Sequence, residues 1–176
     1  MKRIFFLSVC ATLIITLTAC VTTGSTKDSR KAVDPNTVHT YRAPGLKIEA
    51  EAMLVTGTSI AEDAGASGGQ YVPLAKESDS LETRIQLKEG TYELLLKMRA
   101  RDTDRSFLTV TVDDTSYSVY PSNPPLGVWE LTTRIPVYIQ VDSQKTITIR
   151  ITADKKKKAA SKHLCIDYLQ LVSVNK

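Results

Sequence analysis

From about Tyr41 onward, apolar and polar residues alternate in short runs. Leu81, Thr83, Ile85 and Leu87 alternate with Glu82, Arg84 and Gln86. Glu89-Gly90 turns the chain. Tyr92, Leu94, Leu96, Met98 and Ala100 then take up the same period against Glu93, Leu95, Lys97 and Arg99. Leu108, Val110 and Val112 follow, Asp113-Asp114 reads as a hairpin turn, and Tyr117 to Tyr120 returns. Ile135 to Val141, Ile147 to Ile151 and Leu164 to Val174 complete the set. A period of two places alternate side chains on one face, so these runs predict strands half buried on one side. A helical turn is expected only near Ser59 to Ala64. Many short strands separated by turn residues predict an all-β sandwich of two packed antiparallel sheets.

The first forty residues have a different pattern. Lys2 and Arg3 precede a mainly apolar run, Ile4 to Leu17, which is short of the ~20 residues that a membrane-spanning helix needs. This is the pattern of a secretory signal, not a fold element. The run ends in Leu17-Thr18-Ala19-Cys20, which resembles the lipobox of bacterial lipoproteins. The resemblance implies cleavage before Cys20, residues 1–19 being the signal, and lipidation of the Cys20 thiol. Three acyl chains would anchor the protein without a transmembrane helix, since each buried CH₂ contributes about 0.8 kcal/mol. Val21 stands where an inner-membrane retention signal would place aspartate. The resemblance therefore implies the cell envelope, and the outer membrane if the host has one. Residues 20–40 are polar, rich in Thr and Ser and without apolar period. They read as the lipidated cysteine and a flexible tether, with the sandwich domain at 41–176.

Composition narrows the partners. Twenty-three basic residues against 19 acidic ones give a net charge of +4. Losing Lys2 and Arg3 with the signal leaves the chain nearer neutrality, which argues against a nucleic-acid binder. Of the three cysteines, Cys10 leaves with the signal, Cys20 carries lipid and Cys165 remains alone, so the mature chain holds no internal disulfide. His39 and His163 are the only histidines, and no Cys/His spacing suits zinc.

Several short segments fall in a recognisable order. They are Ile48-Glu49-Ala50-Glu51-Ala52, Ala66-Ser67-Gly68-Gly69-Gln70-Tyr71-Val72, Gly90-Thr91-Tyr92-Glu93-Leu94, Lys97-Met98-Arg99-Ala100 and Leu108 to Asp113. Gly127-Val128-Trp129, Lys145 to Arg150 and Ile166-Asp167-Tyr168-Leu169 follow. Together this series resembles the carbohydrate-binding modules of families six and thirty-five, over about Gly45 to Val174. The resemblance implies a jelly-roll sandwich. Glu49 and Glu51 are spaced i, i+2, so on a strand both carboxylates share a face, where like charges repel unless a cation binds. Calcium takes six to eight oxygen ligands. The resemblance assigns a structural calcium to Glu49, Glu51 and Asp167; the other reading is two exposed strand-edge glutamates that bind nothing, with Asp167 in a salt bridge.

It also places a sugar site in loops at one end of the sandwich. A pyranose needs a flat apolar face and a few polar groups. Trp129, the only tryptophan, is the expected stacking ring or else a plug of the sandwich end. Tyr71 and Tyr120 are secondary candidates, although Tyr71 equally suits a buried strand. Cys165 stands where these modules usually place a sugar-binding asparagine, and a thiol is a weak hydrogen-bonding group. The preceding loop, Lys155 to His163, is dominated by lysine. With Lys162 and His163 beside an aromatic ring it suits an anionic glycan, and it equally suits a solvated loop. No nucleophile elbow or phosphate loop is present, and the glycines of Gly65 to Gly69 read as a turn. The chain therefore reads as a non-enzymatic, lipid-anchored glycan binder. The competing reading is a structural or adaptor lipoprotein that binds another envelope protein through the same sandwich.

Overall fold

The computed structural model describes residues 33–100, 108–119, 127–131, 137–153 and 164–174. Its strands in chain order are β1 (Val38–Thr40), β2 (Gly45–Glu49), β3 (Leu54–Thr56), β4 (Ala61–Glu62), β5 (Gln70–Leu74), β6 (Ser80–Leu87) and β7 (Gly90–Ala100). Then come β8 (Leu108–Val112), β9 (Thr115–Val119), β10 (Glu130–Leu131), β11 (Val137–Val141), β12 (Lys145–Ala153) and β13 (Leu164–Ser173). A single 3-10 turn, Ala50–Ala52, interrupts them. The expected helical turn near Ser59 is instead the short strand β4, paired with β5 through Ala61–Tyr71 and Glu62–Gln70. No helix among the described residues is long and apolar enough to cross a membrane.

Two sheets form the sandwich. The first runs β1-β6-β12-β8-β9, with β3 sharing the β1 edge of β6. The second runs β10-β7-β13-β5-β4, with β11 also on β7 and β2 also on β13. Every pair is antiparallel except β1 with β6, which is parallel. That pair shortens the expected tether: Val38–Thr40 belongs to the sheet. Tyr41 then fastens this entry. Its hydroxyl donates to the Pro44 carbonyl and accepts from the Ser173 N–H, and its ring meets Tyr92 edge-on at 4.9 Å.

The core lies between the sheets. Leu81, Ile85 and Leu87 of β6, and Ile147, Ile149 and Ile151 of β12, face Leu94, Leu96 and Met98 of β7. Each such side chain contributes roughly 1.5–3 kcal/mol on burial. The strand β13 departs from strict alternation. Leu164 and Ile166 point into the core, and so do Leu169 and Leu171. A phase slip between them is required, and it appears as a bulge: Ile166 pairs Met98 while Tyr168 pairs Lys97, leaving Asp167 as the extra residue. At the same point β13 changes its other neighbour. Leu164 to Ile166 pair β5, and Tyr168 to Val172 pair β2. Asp167 thus sits where β2 has ended and β5 has not begun.

Candidate functional site

The β4–β5 loop is built by local hydrogen bonds. The Asp63 N–H donates to the Gly69 carbonyl, Ala66 N–H to the Asp63 carbonyl, and Gly65 N–H to the Asp63 Oδ1 at 2.7 Å. Gly69 closes the loop at φ +74°, a conformation that glycine adopts freely. Gly68 is there for another reason: a Cβ on it would lie 2.5 Å from Glu51 Oε1. The loop projects over two neighbouring groups of side chains.

The first group is acidic. Glu49 ends β2, while Glu51 lies in the 3-10 turn and not on the same strand as the spacing suggested. The turn nevertheless brings Glu51 to the loop and to Glu49. Asp167 is fully buried at the bulge and takes the Ser67 N–H on both oxygens, at 3.0 and 3.1 Å. The Ser67 hydroxyl lies 2.8 and 2.9 Å from the two Glu49 oxygens. Lys97 Nζ approaches Asp167 to 3.6 Å, and Lys47 Nζ approaches Glu49 to 2.7 Å. Both ammoniums also lie over the Tyr168 ring, at 5.5 and 4.3 Å from its centroid.

Burial raises the Glu51 carboxyl above its ordinary value, with Glu49 and Asp167 adding to the shift. Burial likewise raises Asp167, partly offset by the Ser67 N–H and Lys97. A hydrogen bond to Glu49 raises Lys47. Glu51 Oε2 is buried without a hydrogen-bond partner. All the donor atoms are hard oxygens, and Gly68 leaves room beside Glu51, so the chemistry suits calcium. Among the described residues, however, no three acidic, imidazole or thiol side chains converge as a ready-made metal shell. Ser67 and Lys47 hold Glu49, and Ser67 holds Asp167.

The second group is aromatic and basic. Trp129 immediately precedes β10, whose Glu130 and Leu131 pair Met98 and Lys97. The loop glycine Gly65 lies against its ring, since a Cβ there would sit 3.3 Å from Trp129 Cδ1. Tyr71 meets the ring edge-on at 5.6 Å. Arg99 faces outward on β7 because Met98 faces in. Its guanidinium lies 4.5 Å from the Trp129 centroid and 5.3 Å from that of Tyr71. Arg99 Nη1 is ion-paired with Asp63 Oδ2. Burial works against the charge on Arg99, but Asp63, with a smaller contribution from Cys165, outweighs it and keeps the group protonated. Asp63 is held below its ordinary value, first by the Gly65 N–H and then by Arg99, with Trp129 adding a smaller part. Arg99 Nε and Trp129 Nε1 are buried N–H groups without a well-formed hydrogen bond.

The sequence-derived residues therefore fall into three sets. Glu49, Glu51 and Asp167 lie near one another without forming a three-carboxylate metal shell, and Trp129 and Tyr71 are in contact. Tyr120, Lys162, His163 and Cys20 lie outside the described residues. Tyr71 is only 6% exposed and offers no open platform, because Trp129, Arg99, Ala66 and Cys165 surround it. Cys165 is fully buried in the same small cluster and pairs with Arg99 across the sheet. Trp129 is half-buried, neither a free platform nor a core plug. Arg99, Asp63, Lys47 and Ser67 were not anticipated. Two signals were present: Arg99 takes a polar place in the β7 alternation, and Asp63-x-Gly65 is a turn pattern.

No protein-family model matches the chain, and no curated protein matches it. Solved structures do. A family 35 carbohydrate binding module from Clostridium thermocellum superposes with a TM-score of 0.58 at 18% identity, over 75% of this chain and 100% of the module. The GH26-CBM35 β-(1,4)-mannanase of Podospora anserina matches with a TM-score of 0.61 at 18% identity over 77% of this chain. A cycloisomaltooligosaccharide glucanotransferase from Paenibacillus, complexed with cycloisomaltoheptaose, matches at 0.59 and 21% over 73%. The chain spans only 29% and 18% of those two enzymes. The strand order, the two-sheet packing and these superpositions agree, and the fold is the jelly-roll β-sandwich of carbohydrate-binding modules such as those of family 35.

Proposed function

We propose that this chain is a non-catalytic, membrane-anchored carbohydrate-binding lipoprotein, with the glycan held at the Trp129 end of the sandwich. One observation carries the reading. Trp129 is half-buried beside Arg99, and two buried N–H groups there, Arg99 Nε and Trp129 Nε1, make no well-formed hydrogen bond, with Asp63 beside the indole and Cys165 beside the guanidinium. A fully unpaired buried donor costs about 1–3 kcal/mol, and a well-placed ligand oxygen would relieve whatever part of that cost these poorly paired groups carry. A sugar carboxylate or hydroxyl supplies such an oxygen, and the indole supplies the apolar contact. Arg99 is positively charged, so an acidic sugar is favoured over a neutral one. Calcium, if bound, adds hard positive charge to the acidic group and fastens the 3-10 turn and the β4–β5 loop to β13. Glu49, Glu51 and Asp167 would hold it. Attachment to the envelope rests on lipidation of Cys20.

The test is a glycan array screened with the protein and with Trp129→Ala, with and without calcium, each shown to be folded. Binding biased to acidic glycans and lost in Trp129→Ala is the expected result. A folded protein that binds no glycan would refute the reading. It would favour the adaptor alternative, for which Arg99 already lying against both the Tyr71 and Trp129 rings is the supporting observation.

A further inference from the structure

The acidic group already contains a cation of the protein's own. Lys47 Nζ lies 2.7 Å from Glu49 Oε1 and 2.5 Å from the Ser67 hydroxyl, above the Tyr168 ring at 4.3 Å. These are hard oxygen contacts of the kind a metal ion would take. Lys97 is placed differently. It reaches Asp167 at 3.6 Å and lies 5.5 Å from the centroid of the same ring, with no hydrogen bond or ion pair to Glu49 or Ser67 among the described residues. Three carboxylates thus meet two ammoniums, and only Lys47 occupies the Glu49–Ser67 corner. A divalent ion that took Glu49 would have to displace Lys47 and the Ser67 hydroxyl proton that also holds it.

We propose that Lys47 is a tethered competitor for the cation site, so that its ammonium and a divalent cation occupy the Glu49–Ser67 corner in turn. This rests on the calcium reading above. Lys47 lies on a flexible stem and is 43% exposed, so it has solvent to swing into. Its presence makes the metal-free protein tolerable, because Glu49 is never left without a counter-charge. It also lowers the apparent affinity for the metal, since binding must first break the Lys47 contacts. The residue therefore sets the calcium concentration at which the site fills.

The experiment titrates calcium chloride calorimetrically into the whole chain in detergent, comparing the parent with Lys47→Met and Lys97→Met. Thermal melts without metal run in parallel. Lys47→Met should bind calcium on the order of five- to tenfold more tightly than the parent. Its melting temperature without metal should be lower than the parent's, and its gain on adding calcium larger. Binding by Lys47→Met alone would support the proposal in its strongest form. Equal tightening in Lys97→Met would overturn it, because the effect would then be general charge removal. Equal affinity in all three proteins would overturn it while leaving the calcium reading intact. No calcium binding by any of them, Lys47→Met included, would overturn both.

Discussion

Gly68→Ala separates the acidic group's role in stability from the cation-holding role proposed for it. The new Cβ would sit 2.5 Å from Glu51 Oε1, whereas ordinary contact begins near 3.4 Å. The Glu51 carboxylate must therefore retreat by about 0.9 Å, the difference between those distances. The obstacle is the end of a flexible side chain, so the retreat costs no more than a rotamer adjustment, about 0.5–1.5 kcal/mol. Alanine returns about 0.4–1 kcal/mol by restricting the unfolded chain. Metal-free stability should change by less than about 1 kcal/mol, or roughly 3 °C in melting temperature. Gly69→Ala is the control. Its Cβ would meet nothing within 4 Å, but its φ is +74°, which costs an L-residue about 1–2 kcal/mol. Without metal, Gly69→Ala should therefore be the less stable of the two. If the proposed calcium site exists, the order of effect reverses when calcium is added. A metal tolerates ligand displacements of only ~0.2 Å, so moving Glu51 should weaken calcium binding roughly 10–100-fold. Calorimetric titration and thermal melts read both quantities. The reasoning fails if folded Gly68→Ala keeps the parent's calcium affinity, or if it melts below Gly69→Ala in the absence of metal.

Three further outcomes follow from packing and charge. Leu169→Ala removes a fully buried side chain just past the β13 bulge and should cost about 2–5 kcal/mol by chemical denaturation. Lys145→Met breaks an exposed 3.3 Å pair with Asp113 and should cost less than about 1 kcal/mol; a larger loss there than at Leu169 would contradict the burial argument. The Asp63 carboxyl is held below its ordinary 3.8. A depressed carboxyl stabilises the fold above its unfolded value and loses that contribution as pH falls through the folded one. Asp63→Asn should thus be less stable than the parent near neutrality. The gap should close as the pH drops below about 3.8, and a gap that persists through acid would show that Asp63 acts by packing and not by charge.

Much of this fold is legible along the chain because its strands are half buried. Leu81 to Leu87, Tyr92 to Ala100 and Ile147 to Ile151 each carry the inward face as alternate apolar residues, and each forms the expected strand. Short strands leave less signal. Val38–Thr40 has too few residues for a period, so β1 was indistinguishable from a tether until β6 offered its free edge. Ala61–Glu62 is shorter still, and its pairing with β5 overrides any local preference. The Leu164, Ile166, Leu169, Leu171 spacing does encode the β13 bulge, since only an inserted residue keeps all four inside.

The candidate site divides the same way. Residue type marked Trp129 and spacing marked Glu49 and Glu51, because a lone loop tryptophan and closely spaced acids are chemically conspicuous, whereas Asp167 was indicated only by the resemblance to the carbohydrate-binding modules. Their company was decided in three dimensions. Glu51 reaches Glu49 by a 3-10 turn and not by strand alternation, and Asp167 reaches the loop because β13 changes partner there. Arg99 and Asp63 are far apart in the chain and ordinary in it. They matter because the β4–β5 loop and the outer face of β7 are pressed together by a core built elsewhere. Alternation is a local property and determines which face of each strand is buried. Which outward faces meet is set by strand order and register, which depend on contacts between residues distant in sequence.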